Sequence, residues 1–305
     1  MAQTRESEAL SKTHQMTGAE FEYTWNEWFR RQITFWRNNK MALVGLIIVT
    51  TVVVVAILAP VIAPHDPFER NMANRIASPS MEHPFGTDSI GRDTLSRVMY
   101  GARISLMVGF ISVGIATIIG VPLGLLAGYS GGRVDSFIMR IMDTLITFPD
   151  IVLAIAILAI LGPSIFNAMI AIGIVYIPIF ARTARAPTMG ESNREYVEAA
   201  RALGSSVSRV VFRHVAPNIL SIVIVRITVS FSYAILAEAA LSFLGLSASP
   251  PTPTWGRMLN EGRGFMELAP SVAIFPGLAI AITVLGFNLL GDGLRDLFDP
   301  RQRKA

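Results

Sequence analysis

The chain has 305 residues, of which 52% are hydrophobic and only 16% charged, a composition that excludes an ordinary soluble domain and belongs in a bilayer. The formal net charge is +4 and the pI about 9.7, but the basic residues are spread among loops instead of gathered on one face, so nucleic acid is not the expected partner. Cysteine is absent, which removes disulfides, thiolate metal sites and cysteine nucleophiles from consideration.

Residues 1–20 are polar, with nothing to bury. The polar stretch before the first apolar run is too long, and that run too extended, for a cleavable signal. Over 21–40, Phe21, Trp25, Trp28, Phe35 and Trp36 recur at roughly helical spacing among Arg30, Arg31, Arg37 and Lys40. That pattern fits an elbow helix lying in the headgroup layer, and a partner-binding helix would share it. Residues 41–64 carry no charge and exceed the ~20 residues that cross ~30 Å of hydrocarbon, so they form the first predicted span. A polar loop follows at 65–103. Within it Asp93 is placed to cap a short helix lying on the membrane, before the second span at Ile104 to Gly128.

The stretch from Ile151 to Ala181 is uncharged and too long for one crossing, and Gly162-Pro163-Ser164 divides it. The third span is therefore read as Ser136 to Leu161 and the fourth as Ile165 to Ala181. The fifth is Ile219 to Leu244 and the sixth Leu268 to Leu290, with a core of 104–291 and a polar tail at 292–305. Positive loops stay cytoplasmic. The lysine and arginine bias places both ends inside, with Arg70, Arg75, Arg92, Arg97, Arg103, Arg257 and Arg263 outside and Arg226 within a span.

Between spans four and five lies a polar, basic island at 190–217. Ser192 and Glu195 have the offset of a capping box, which predicts a helix from there to about Leu203. Tyr196, Ala199, Ala200 and Leu203 fall at i, i+3, i+4 and i+7 on one stripe, while Glu195, Glu198 and Arg201 point elsewhere. Gly204 is placed as a left-handed cap. Ser205 or Ser206 then caps a second short helix carrying Val207, Val210, Val211 and His214, before Pro217 opens the next run. From pattern alone such a segment either packs on its own protein or docks on another.

Charges inside apolar spans are costly and therefore candidate functional groups. Asp143 and Asp150 lie in the third span, Arg226 and Glu238 in the fifth, where Ser230, Ser232 and Tyr233 precede Glu238. Asp143, Arg226, Ser230, Tyr233 and Glu238 are the candidate lining of a translocation path, with the alternative that Asp143 and Arg226 neutralise one another. A Walker-type ATP site is excluded, because neither Lys12, Lys40 nor Lys304 follows a glycine-rich loop. Gly128-Tyr129-Ser130-Gly131 matches the short GxSG pattern of rhomboid-type intramembrane proteases, but His14, His65, His83 and His214 all lie outside the predicted spans, leaving no base in the bilayer. His65, His83, Asp66 and Asp88 share the first loop in no recognisable ligand spacing, so no metal site is expected.

The run EAARALG, with the proline of HVAPN after it, resembles the "EAA" loop of ATP-binding-cassette importer permeases. FGTDSIGRDTLSRVMYGARISL, PPTPTWGRMLNE, FPGLAI and FNLLGDGLRDLFDP resemble the second permease subunit of the dipeptide, oligopeptide and nickel branch. The resemblance implies an all-α membrane protein of the type I importer, MetI-like class, with six spans and an elbow helix. It also implies that Tyr196, Glu198, Ala199, Ala200, Leu203 and Gly204 couple to an ATPase. The implied partners are a related permease chain, two ATPase subunits carrying ATP and Mg, and an extracytoplasmic solute-binding protein that delivers peptide. This chain itself would hold no cofactor and catalyse nothing. A stand-alone cation-coupled transporter is the rival reading, since it could use the same intramembrane charges.

Overall fold

The computed structural model describes residues 36 and 39–298. Most of the expected elbow segment and the last residues of the tail lie outside them. Among the described residues the fold is helical, with one isolated bridge between Thr87 and Asp93 in place of any sheet. In chain order the helices are α1 (Lys40–Ile62), α2 (Thr94–Ser130), α3 (Gly132–Ile146), α4 (Asp150–Leu161), α5 (Ile165–Ser192), α6 (Glu195–Ala202), α7 (Val207–Phe243), α8 (Trp255–Gly262) and α9 (Ser271–Phe298).

Helices α1, α2, α5, α7 and α9 are each long and apolar enough to cross a membrane. The predicted third span, Ser136 to Leu161, is not one of them. It is broken into α3 and α4, which meet at 90°. Pro149 explains the break: the residue before a proline is pushed out of the helical region, so the chain stops at Ile146 and restarts with Pro149 as the cap of α4. With 12 residues, α4 is only about 18 Å long and cannot cross the hydrocarbon by itself.

The centre of the fold is the α2–α5 pair. In α2, Gly120, Gly124 and Gly128 repeat every fourth residue and line up along one face. A Cβ built on them would lie 2.6, 2.3 and 2.6 Å from the carbonyl oxygens of Ile177, Ala181 and Arg185. Small residues at this spacing let two backbones approach closely, which is how helices gain contact in a solvent as apolar as their own side chains. Around this seam Val108, Val113, Met169, Ile172, Tyr176, Phe180 and Leu241 form the main buried cluster, joined by Ala154 and Leu158 of α4.

Four helices outrun their expected lengths, α5 by continuing from Ala181 to Ser192. Asp93 does cap, its carboxylate accepting the Ser96 N–H at 2.7 Å, but the helix it starts continues unbroken into the second span. Pro217 stands as expected in the first turn of the α-helical stretch Ala216–Phe243, where its missing N–H costs least, but a π-helical turn over Val210–Val215 joins that stretch to the short helix before it, so α7 is continuous. The polar GDGLRDLF segment remains helical in α9, because Gly293 lies against Ala42 and Asn39 donates to Asp296 at 3.1 Å, tying the end of α9 to the start of α1.

Candidate functional site

The polar island forms a compact knob built on α6. Its expected capping box is not formed. Ser192 is instead the last residue of α5, its hydroxyl buried without a hydrogen-bond partner, and Arg194 opens α6 with no side-chain cap. The reason is packing: Ala184, Thr188 and Ser192 continue one buried stripe down α5, and that contact holds the helix past its apolar stretch. The other end follows expectation. Gly204 has φ +80°, its N–H bonds the Arg201 carbonyl at 2.9 Å, and the Ser205 N–H bonds that of Ala200 at 3.1 Å. These two bonds are a Schellman motif, which needs the left-handed residue at that position.

The residue that fixes the knob lies off the predicted stripe. Val197 is 0% exposed and packs in one cluster with Leu125, Ala184, Val210, Val211, Val215 and Ile219. Tyr196 adds a polar bolt: its phenol donates to Glu191 at 2.7 Å and accepts from Asn218 at 2.9 Å, while Asn218 also donates to the His214 carbonyl at 2.7 Å. Partial burial and the Glu191 carboxylate hold that phenol protonated above its ordinary range. Arg201 donates to the Tyr129 hydroxyl at 3.1 Å and stacks over its ring. The knob is thus fastened to the ends of α2, α5 and α7 together.

What remains outside includes several apolar side chains among charged ones. Leu203 is 87% exposed, and Ala199, Val207 and Phe212 are exposed beside it, with Ala200 half-buried and Glu198 in solvent. The predicted stripe of Tyr196, Ala199, Ala200 and Leu203 therefore faces largely away from the protein's own core. A surface of this kind, rimmed by Glu195, Glu198, Arg209 and Arg213, is the usual mark of a contact site for another protein.

The candidate path residues do not converge. Asp143 pairs with Arg182 across α3 and α5, not with Arg226. Arg226 instead lines a cleft of about 590 Å³ with Thr183, Ser221, Asp292 and Arg295, and its Nε is buried without a partner. Ser230 is buried and Tyr233 exposed further along α7. Glu238 is fully buried where α7 meets the following loop, accepting from Ser247 at 3.3 Å beside the Ser242–Thr254 hydroxyl pair.

At the opposite end of the helices, two separated stretches meet in a buried ion network that the sequence did not disclose. Arg92 binds Asp88 at 2.6 Å and Glu261 at 2.7 Å; Arg97 and Arg257 reach Glu261 at 3.0 and 2.9 Å. Trp255, 2% exposed, donates to the Val98 carbonyl at 2.9 Å and covers Gly101. Since α2 has 37 residues, its two ends are about 55 Å apart, and the network and the knob lie on opposite sides of the hydrocarbon.

Helical architecture and, among the described residues, five helices long and apolar enough to cross a membrane define a polytopic membrane protein. The fold agrees: the structure resembles a chain of the MetNI methionine ABC transporter in inward-facing conformations, with TM-score 0.54, 17% identity and coverage of 67% of this chain and 97% of that one. Residues 120–304 match the family described as "binding-protein-dependent transport system inner membrane component", and residues 25–79 match the "N-terminal TM domain of oligopeptide transport permease C". The chain belongs to this family of inner-membrane transport components, in its DppC/OppC-type branch. It is 49% identical over 279 residues to the dipeptide transport system permease protein DppC of Alkalihalophilus pseudofirmus, covering 92% of this chain and 90% of that one. It is 44% identical over 276 residues to DppC of Haemophilus influenzae, covering 88% and 94%. The glutathione transport system permease protein GsiD of Shigella sonnei is 48% identical over 280 residues, covering 91% and 90%. A stand-alone cation-coupled carrier is not favoured by these likenesses.

Proposed function

We propose that this chain forms half of the pore of an ATP-driven peptide importer in the bacterial inner membrane, with six spans counting α3 and α4 as one, an elbow helix before α1, and both termini in the cytoplasm. A related permease chain completes the pore, two ATPase subunits dock on the knob, and an extracytoplasmic binding protein delivers di- or oligopeptide. ATP and Mg belong to those ATPases, and this subunit catalyses no reaction. The observation that carries the reading is the division of α6 into a buried anchor, Val197, and an exposed apolar face ending in Leu203.

The mechanism follows from how α6 is held. An ATPase pressing on Ala199, Ala200 and Leu203 moves a short rigid body, because the Schellman turn and the Val197 cluster leave it little freedom of its own. The push is delivered to α2, α5 and α7 together through Tyr129, Glu191 and Asn218. Tilting those helices opens and closes the cleft that Arg226 lines. In the cleft, Arg226 and Arg295 suit the carboxylate that every peptide carries.

Reconstitution tests this. Proteoliposomes holding both permease chains and both ATPases should take up labelled dipeptide only with ATP on the knob side and binding protein on the other. Uptake by this chain alone, driven by a proton or sodium gradient, would overturn the proposal.

A further inference from the structure

The loop between α1 and α2 brings together residues that no sequence spacing connects. One ring nitrogen each of His65 and His83 and one carboxylate oxygen of Glu82 lie within 4.8 Å of one another. The two imidazoles lie side by side, with ring centroids 4.6 Å apart and planes tilted by 36°. From this arrangement we propose that His65, His83 and Glu82 form a binding site for a divalent transition-metal ion of the zinc type.

The surrounding hydrogen bonds prepare each ligand. His83 Nδ1 donates to Asp93 Oδ1 at 2.9 Å, which fixes the tautomer and leaves the Nε2 lone pair for a cation. A carboxylate behind a histidine in this way orients the ring and raises its basicity as a ligand. Asp93 is itself immobile, since its other oxygen accepts from both the N–H and the hydroxyl of Ser96 at 2.7 Å. The Ser96 hydroxyl accepts in turn from the His65 backbone N–H at 3.1 Å, so both histidines are held by one cap. Ser80 and His83 exchange two further bonds, at 2.9 and 3.0 Å, that set the turn presenting Glu82.

The observation that points to a ligand is His65 Nδ1. It is shut off from solvent and has no hydrogen-bond partner, the Asp93 oxygen being 3.8 Å away, and an imidazole nitrogen so placed is an unspent donor atom. Two imidazoles and a carboxylate suit zinc, with the fourth tetrahedral position open to water. Tetrahedral ligands on zinc lie roughly 3.3 Å apart. Glu82 is exposed and His65 half-buried, so both can make the small movement that closing on an ion requires. The bound ion would clip the end of α1 to the start of α2.

The test uses the full-length chain in lipid nanodiscs, purified without a polyhistidine tag, stripped with chelator and titrated with Zn²⁺ by calorimetry. One saturable equivalent is expected, with Co²⁺ giving the visible absorption of a nitrogen–oxygen site. His65→Gln and Glu82→Ala, both at accessible positions, should each weaken binding about tenfold or more, while His214→Ala should not. His83→Ala should abolish binding; if that variant fails to fold, the His65 and Glu82 variants decide. Absence of saturable binding, or full affinity in the His65→Gln/Glu82→Ala double variant, would overturn the assignment.

Discussion

Replacing Leu203 by aspartate should separate docking from folding. Leu203 is 87% exposed, so the folded chain buries almost none of it and the substitution should change stability by no more than about 0.5 kcal/mol. If the ATPase covers this side chain, docking gains about 2 kcal/mol from burying it. Loss of that gain alone weakens association about 30-fold. The new carboxylate adds a desolvation cost in the same direction. The assay is paired: thermal unfolding of the purified chain, and retention of the ATPases during affinity purification followed by uptake. Leu203→Asp should keep an unchanged melting curve and lose both ATPase and uptake. Wild-type uptake by this variant would refute the docking role.

Three other substitutions probe the rest of the account. Val197→Ala removes two methyl groups from a fully buried position, costing about 2 kcal/mol once the cavity is included; the melting temperature should fall and ATP hydrolysis should become less tightly linked to uptake. Gly124→Leu should prevent accumulation of folded protein, because even its Cβ would lie 2.3 Å from the Ala181 carbonyl, whereas Gly114→Leu, with nothing within 4 Å of its Cβ, should accumulate normally; equal levels in immunoblots of membranes would contradict the α2–α5 seam. Glu261→Ala removes the carboxylate shared by Arg92, Arg97 and Arg257, leaving Asp88 alone beside the first two and Arg257 unpaired, and should cost about 3–5 kcal/mol. Asp143→Asn breaks only a half-exposed pair and should cost less than about 1 kcal/mol.

Hydropathy and motif resemblance carried the reading to the helical membrane class and to the knob. Gly204 was legible because a left-handed cap is a local requirement that glycine alone meets cheaply. The failures share a cause, which is that local signals lost to packing. Ser192 and Glu195 offer a sound capping box, yet the buried Ala184–Thr188–Ser192 stripe keeps α5 going through it. Pro217 does open the α-helical stretch Ala216–Phe243, but the expected separate short helix before it is joined to that stretch by a π-turn. Pro149 was the opposite case, a strong backbone restriction hidden within an apolar run whose hydropathy suggested one span. The glycine seam at 120, 124 and 128 went unread, because nothing in the sequence says which helix faces it. His65, Glu82, His83 and Asp93 meet only after the loop has folded, so their spacing carried no message.

The central claim is that the exposed face of α6 receives the ATPase. Because the chain has no cysteine, Leu203→Cys supplies a single thiol on that face. In native membranes, a short bifunctional reagent should cross-link it to an ATPase subunit, with a yield that changes when ATP is added. Absence of any ATPase adduct, with the thiol instead labelled by an impermeant maleimide applied outside intact cells, would contradict the account.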